Sequence, residues 1–171
     1  MKVSVVSGGI LFVFSCFVIS LDGSNVGKVT TFAGKGFSSY ANGIGTNAAF
    51  NNLIDIIIST SYCFAADYSN KRVRYVRLSD QYTGLLAGSG SATAVNGVGT
   101  NVGFLSVSSI AVTSTESFLL VTDSVDKKIR KLTGMPTATA TTFAGSGVNG
   151  VADGIGLSAQ FKTPMGIGKL N

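Results

Sequence analysis

Histidine is absent from the 171 residues. That removes every Ser-His, Cys-His and His-metal arrangement the chain could build from its own side chains. Charge is also scarce. Asp, Glu, Lys and Arg together make up 12%, about half the usual share of ~25%. Apolar residues reach 45%, which excludes a disordered chain, since such chains are poor in apolar residues and rich in charge. With 2 prolines, neither a collagen-like nor a Pro-rich chain fits. What the chain has in excess is glycine, 22 residues, roughly twice the usual share of ~7%. A chain rich in Gly, Thr, Ser and Val and poor in Pro reads as many short strands joined by tight turns. The length suits one domain with a real core.

The N-terminus carries Met1 and Lys2, then a nearly apolar stretch densest over residues 10–19 (ILFVFSCFVI), with Val18 and Ser20 at −3 and −1 of a cleavage after Ser20. Charge, apolar run and a small residue at the cut are the layout of a secretory signal peptide, expected over residues 1–20. An uncleaved anchor is the alternative, because the apolar stretch counted from Val3 to Leu21 just reaches the ~20 residues of a membrane span. The expected location is therefore extracellular, with the membrane as a partner only if the leader is retained. Of the two cysteines, Cys16 falls in the leader. Cys63 would then have no partner within the chain, and it reads as a small buried residue of a strand. The formal charge of +5 becomes +4 without Lys2, a mildly basic product.

The rest of the chain repeats itself. Gly34, Gly88 and Gly145 stand in Ala-Gly-x-Gly segments that each follow a β-type run. Gly43, Gly97 and Gly154 begin a second glycine pair, and Phe50, Phe104 and Phe161 follow at a fixed distance. All three ladders step by 54 residues and then by 57. Asp67 and Asp123 match inside the same frame, as do Arg74 and Arg130. Each full unit holds two apolar runs separated by turn residues, a third run after the Asp-containing turn, and a fourth leading into the Ala-Gly pair. Four short antiparallel strands at this period are the pattern of a β-propeller blade. The segments "AGSG", "DG.G..A.F", "IAV", "VTDS" and "KKIRKL" resemble the NHL-repeat family of β-propellers, over nearly everything after Gly27. The third copy, with Pro164 before Met165, Gly166 and Ile167, lies nearest the family pattern; Leu53 and Ser106 stand near the place of that proline in the first two. The resemblance implies an all-β propeller segment over residues 26–171. It leaves function open, because the family spans extracellular binding modules, lyases and RNA-binding domains. Four blades of ~55 residues need about 220, whereas about 150 follow Ser20. The expectation is an incomplete propeller of four-stranded antiparallel blades, either a truncated product or an array completed by another copy.

The repeated polar residues have mostly structural readings. Asn42, Asn96 and Asp153, each before a glycine, could form a ring of cation ligands, but one carboxamide per repeat gives too few oxygens, and the expectation is a tight Asn/Asp-Gly turn with positive φ. Asp67 and Asp123 are expected to accept backbone N–H bonds in their own turns and to suit pairing with Arg74 and Arg130. The Gly34, Gly88 and Gly145 segments lack the following helix of a phosphate-binding loop. The basic clusters, Lys71, Arg72, Arg74, Arg77 and Lys127, Lys128, Arg130, Lys131, could meet an anionic partner such as RNA. Only Tyr75 is interleaved among them as a base-stacking ring, so the stems are expected to pack beside Val73 and Ile129 with their heads in water. Phe32, Phe50, Phe104, Phe143 and Phe161 are expected core, and no cofactor is implied. The favoured reading is a secreted, non-catalytic binding scaffold for a protein or glycan ligand, with no nucleic acid. The alternatives are a fragment of a propeller enzyme, a lyase or hydrolase, against which the lack of His and the single Glu count, and an RNA-binding propeller.

Overall fold

The structure, a computed structural model, describes residues 30–168 together with the backbone of three short N-terminal strands. These are β1 (Val3–Ser4), β2 (Leu11–Val13) and β3 (Phe17–Ile19). β2 pairs with β3, and β1 pairs with β4 (Thr31–Ala33), both antiparallel. The remainder of the expected leader, including the cut after Ser20, lies outside the described residues.

The rest is built from two antiparallel five-stranded sheets. The first runs through β5 (Gly43–Ile44), β6 (Leu53–Ile58), β7 (Tyr62–Asp67), β8 (Arg72–Arg77) and β9 (Tyr82–Ala87), in the spatial order β5-β9-β8-β7-β6. The second repeats it with β10 (Gly97–Val98), β11 (Val107–Val112), β12 (Leu119–Asp123), β13 (Lys128–Thr133) and β14 (Thr139–Ala144), in the order β10-β14-β13-β12-β11. The expected four strands are present in each sheet as a meander. The fifth arises because the loop before each meander returns along its last strand, setting Gly43 opposite Thr83 and Gly97 opposite Ala140. Among the described residues, helix is confined to 3-10 turns at Gly45–Asn47, Gly99–Asn101 and Gly156–Ser158.

The two sheets share their irregularities as well as their order. Each leading strand is bulged near its start, between Leu53 and Asp55 and between Val107 and Ser109. Each third strand is bulged just before its arginine, between Val73 and Arg74 and between Ile129 and Arg130. Register also shows where the period changes. Ile58 faces Cys63 and Val112 faces Leu119, so the offset grows from 54 to 56 within the first hairpin turn. Val76 faces Thr83 and Leu132 faces Ala140, so it grows from 56 to 57 in the third. Insertions fall in the turns, where no ladder bond or core contact has to give way.

The larger core lies between the sheets. Ile57, Phe64, Tyr75 and Gly84 stand opposite one another across the first sheet. With Val73 and Leu86 they meet Phe104, Ile110, Leu119, Val121 and Leu132 from the second unit. Glycine is required at position 84, where a Cβ would come within 2.4 Å of the Tyr75 ring. A smaller cluster covers the first sheet's other face, with Phe50, Leu53, Cys63, Ala65 and Val76 packed beside Ala33 and Ala48.

Two of the five expected core phenylalanines are fully enclosed, Phe50 and Phe104. Phe32 and Phe161 are half-buried, and Phe143 is a correction, being 47% exposed. Its counterpart in the first unit, Leu86, is 1% exposed because the second unit lies over it. Over Phe143 the described residues place no further sheet. Truncating Phe104 to alanine is expected to lower stability by about 3–5 kcal/mol. Truncating Phe143, on an open face, is expected to cost less than about 1 kcal/mol. Urea unfolding of the two variants measures the difference.

Candidate functional site

Each sheet holds the loop that precedes it by means of one arginine. Arg74 is wholly buried. Its Nε donates to the carbonyl of Gly84 (3.2 Å), one terminal nitrogen to the carbonyl of Ala49 (3.2 Å) and to Asp67 (3.1 Å), and the other to the carbonyl of Ala41 (2.9 Å) and the Asn42 amide oxygen (2.7 Å). The guanidinium carbon lies 5.2 Å from the centre of the Phe50 ring and 4.6 Å from that of Tyr40, within range of a cation–π contact. Arg130 repeats this on Gly103 (3.2 Å), Val95 (3.0 Å) and Asn96 (2.7 Å), with Phe104 at 5.4 Å. Its hold is looser: Asp123 is 3.9 Å away, beyond hydrogen-bond range, and its buried Nε has no partner.

These contacts correct two expectations. The heads of Arg74 and Arg130 are sealed in protein and do not reach water. Asn42 and Asn96 are acceptors for arginine; Gly43 has the expected positive φ, +149°, but Gly97 and Gly154 do not, and the positions common to all three loops at φ near that of a left-handed helix are Gly45, Gly99 and Gly156, at +54°, +54° and +57°. The glycines at 43, 97 and 154 are needed for space, since a Cβ on Gly97 would come within 2.8 Å of the Asn101 carbonyl. Gly34, Gly88 and Gly145 each follow the last residue of a strand, at φ +110°, +121° and +98°.

Asp67 and Asp123 reach further than their own turns. Asp67 accepts from the backbone N–H of Asn51 (2.8 Å) and from the Asn70 amide (2.9 Å). Asp123 accepts from the N–H groups of Leu105 (3.0 Å) and Ser106 (2.8 Å). Each thereby ties the turn after its second strand to the segment entering its leading strand. Burial pushes both carboxyls above the ordinary range and pulls both guanidiniums down, while the hydrogen bonds and the ion pairs oppose the shift. Arginine nevertheless stays charged, so these are charges held at a desolvation cost. Of the remaining basic residues, Arg72 lies 4.0 Å over the Tyr40 ring and donates to the carbonyls of Asn70 and Ser89.

Where the two leading strands converge there is an open groove of about 580 Å³ lined in part by Asn52, Asp55, Tyr68, Ser109 and Met165. Sequence reasoning assigned none of these five a binding role, and of them it named only Met165, as part of the third repeat, because the positions differ from unit to unit. Asp55 is the only carboxylate among the described residues of the groove. One of its oxygens accepts from the N–H of Ile56 (2.8 Å), the other from the Ser109 hydroxyl (2.5 Å) and the N–H of Ile110 (2.8 Å). The Ser109 hydroxyl in turn accepts from the N–H of Ile167 (3.3 Å). The carboxylate therefore brackets one leading strand to the next and is not free for acid–base work. At the edge of the groove the hydroxyls of Ser106, Ser108 and Ser124 bond to one another at 2.6–3.3 Å. Among the described residues none of the three hydroxyls is hydrogen-bonded to a base that would activate it as a nucleophile. Among the described residues no group of three or more Cys, Asp or Glu could hold a metal ion. What the groove offers outward is Tyr68, 37% exposed, Met165, 57% exposed, and the exposed amide of Asn52.

No protein-family model matches the chain, and no characterised protein matches it in sequence. Among solved structures, a protein of unknown function from Bacteroides thetaiotaomicron matches over 90% of this chain and 38% of its own, with a TM-score of 0.63 at 19% identity. An auxiliary nutrient binding protein from the same organism matches over 89% of this chain and 37% of its own, with a TM-score of 0.67, again at 19% identity. The chain thus spans less than two-fifths of the length of these structures, and at this identity the likeness is one of fold.

Replacing Arg74 by alanine, which leaves Asp67 buried and unpaired, is expected to cost about 3–5 kcal/mol in denaturant unfolding. A second test concerns Cys63, 1% exposed, whose thiol burial pushes up from the ordinary 9.0 to about 12. Between those values the folded chain keeps a proton that the unfolded chain releases, so stability present below about pH 9 is lost as the pH rises toward 12. The Cys63→Ala variant is expected to lack that part of the slope, read as the difference between the two stability–pH curves.

Proposed function

We propose that the chain is a segment of a secreted, NHL-like β-propeller that acts as a non-catalytic binding scaffold, and that the groove between its leading strands receives a glycan or protein ligand. The carrying observation is the division of labour in that groove. The Asp55 carboxylate is committed to joining strands, while an aromatic ring, a thioether and an amide face outward. A ligand site is typically such a concave surface with apolar walls and a few polar groups that set orientation, and a tyrosine offers both a flat face and a polar tip. The paired four-stranded meanders, the glycine and phenylalanine ladders and the apolar leader support the propeller and the export. The fold likeness to an auxiliary nutrient binding protein supports binding over turnover.

Titration of the isotope-labelled chain with soluble oligosaccharides, and separately with peptides, tests this by NMR. The expected result is saturable shifts at Tyr68 and Asn52 for one class of ligand, no conversion of that ligand, and binding weakened about tenfold in Tyr68→Ala. Conversion of the ligand, or binding that leaves these residues untouched, would overturn the reading.

A further inference from the structure

The loop over residues 145–161 shares its main backbone bonds with those over 34–50 and 88–104, although the return bonds from Ala41 to Ala49 and from Val95 to Gly103 have no counterpart from Ala152. The first glycine N–H of each donates to the carbonyl of a later glycine at 3.0 Å: Gly34 to Gly45, Gly88 to Gly99, Gly145 to Gly156. The N–H groups of Ala49, Gly103 and Gln160 donate to the carbonyls of Ala41, Val95 and Ala152 at 3.0, 3.0 and 2.9 Å. Parallel bridges join Ser38 to Phe50, Ala92 to Phe104 and Asn149 to Phe161. In the first two loops this framework holds a guanidinium between two carbonyls, an asparagine oxygen and a phenylalanine ring. In the third the same places are taken by the carbonyls of Ala152 and Gln160, the Asp153 side chain and the Phe161 ring. Asp153 is exposed and Phe161 half-buried.

We propose that this third loop is a preformed guanidinium socket, and that the face it caps receives a partner β-sheet carrying an arginine at the place of Arg74 and Arg130. Three observations carry the proposal. Without its arginine the loop already keeps the Gly145–Gly156 and Gln160–Ala152 bonds and the Asn149–Phe161 bridge. The amide at this place in the filled sockets is here a carboxylate, which makes a stronger, charge-assisted bond to a guanidinium. The surrounding surface is apolar and open, with Phe143 47%, Leu157 62% and Ile155 94% exposed, which fits a face meant to be covered. A second copy with its loops in place does not supply the arginine, because Arg74 and Arg130 are both seated in sockets of their own. The inference stands on loop geometry and is independent of the ligand proposed for the groove.

The test is NMR titration of the full labelled chain with N-acetylarginine amide and with its lysine counterpart. Expected are saturable shifts at the amides of Asp153, Gly154 and Phe161, a weaker response to lysine, which lacks the planar fork, and binding weakened about tenfold in Asp153→Ala. Asp153 is exposed, so the variant keeps the fold, and its unchanged spectrum elsewhere verifies that. No saturable shift, an equal response to lysine, or undiminished binding in Asp153→Ala would overturn the proposal.

Discussion

Arg74 and Arg130 each carry a full positive charge to a place that water does not reach, and the structure around them is arranged to receive it. Removing a guanidinium from solvent is unfavourable, and only a nearly complete set of acceptors offsets it. Those acceptors are mostly backbone carbonyls of a loop with no regular ladder of its own. The arginine therefore satisfies the loop and the loop satisfies the arginine. This explains the glycines: a loop that must aim several carbonyls at one point needs left-handed residues at Gly45 and Gly99, and tight approach at Gly43 and Gly97. It also explains why the loop's end carries phenylalanine in each unit, since Phe50 presents its ring face to Arg74 and Phe104 to Arg130.

Within a unit, closure is thorough. The loop pairs with the last strand through two residues, is gripped by the third strand through arginine, and is tied by an aspartate to the turn after the second. Between units the arrangement is different. The apolar faces supply the larger core, while polar joining rests on a few contacts, among them the Ala138 N–H donating to the Leu86 carbonyl (2.9 Å). Asp55 brackets Ser109 and Ile110, and Ser109 then bonds Ile167. At the far end of the leading strands Glu116 accepts from the N–H (2.7 Å) and hydroxyl (2.9 Å) of Thr60. The groove sits where the first of these joints is made, so its floor is fixed by contacts that hold the units together while its rim is free to vary.

The strands and their grouping were legible in the sequence because glycine and phenylalanine repeat at one spacing, and such spacing survives only if the same backbone is built each time. The pairing of Asp67 with Arg74 was legible for the same reason, whereas Asn51, Leu105 and Ser106, whose N–H groups donate to the two aspartates, lie outside the turns where such partners were expected. The depth of Arg74 was not. A strand pattern places it on the face opposite Val73, and nothing local says that the preceding loop folds over that face and shuts out water. The role of Asn42 and Asn96 was hidden likewise, because Asn-Gly is the usual mark of a tight turn and the arginine it serves lies 32 to 34 residues away. Asp55 and Ser109 left no signal at all. They occupy equivalent positions with different chemistry, and only the strand-to-strand geometry shows that both act as acceptors.

Because each loop closes on the sheet that follows it, the clasp is internal to a module of 54 to 57 residues. Copying such a stretch of gene adds a finished piece, with its own cation, acceptors and glycines, and asks only for one new seam. The array can thus grow by tandem duplication without redesign, and the rim positions of each new copy can drift toward different chemistry while the clasp stays under selection.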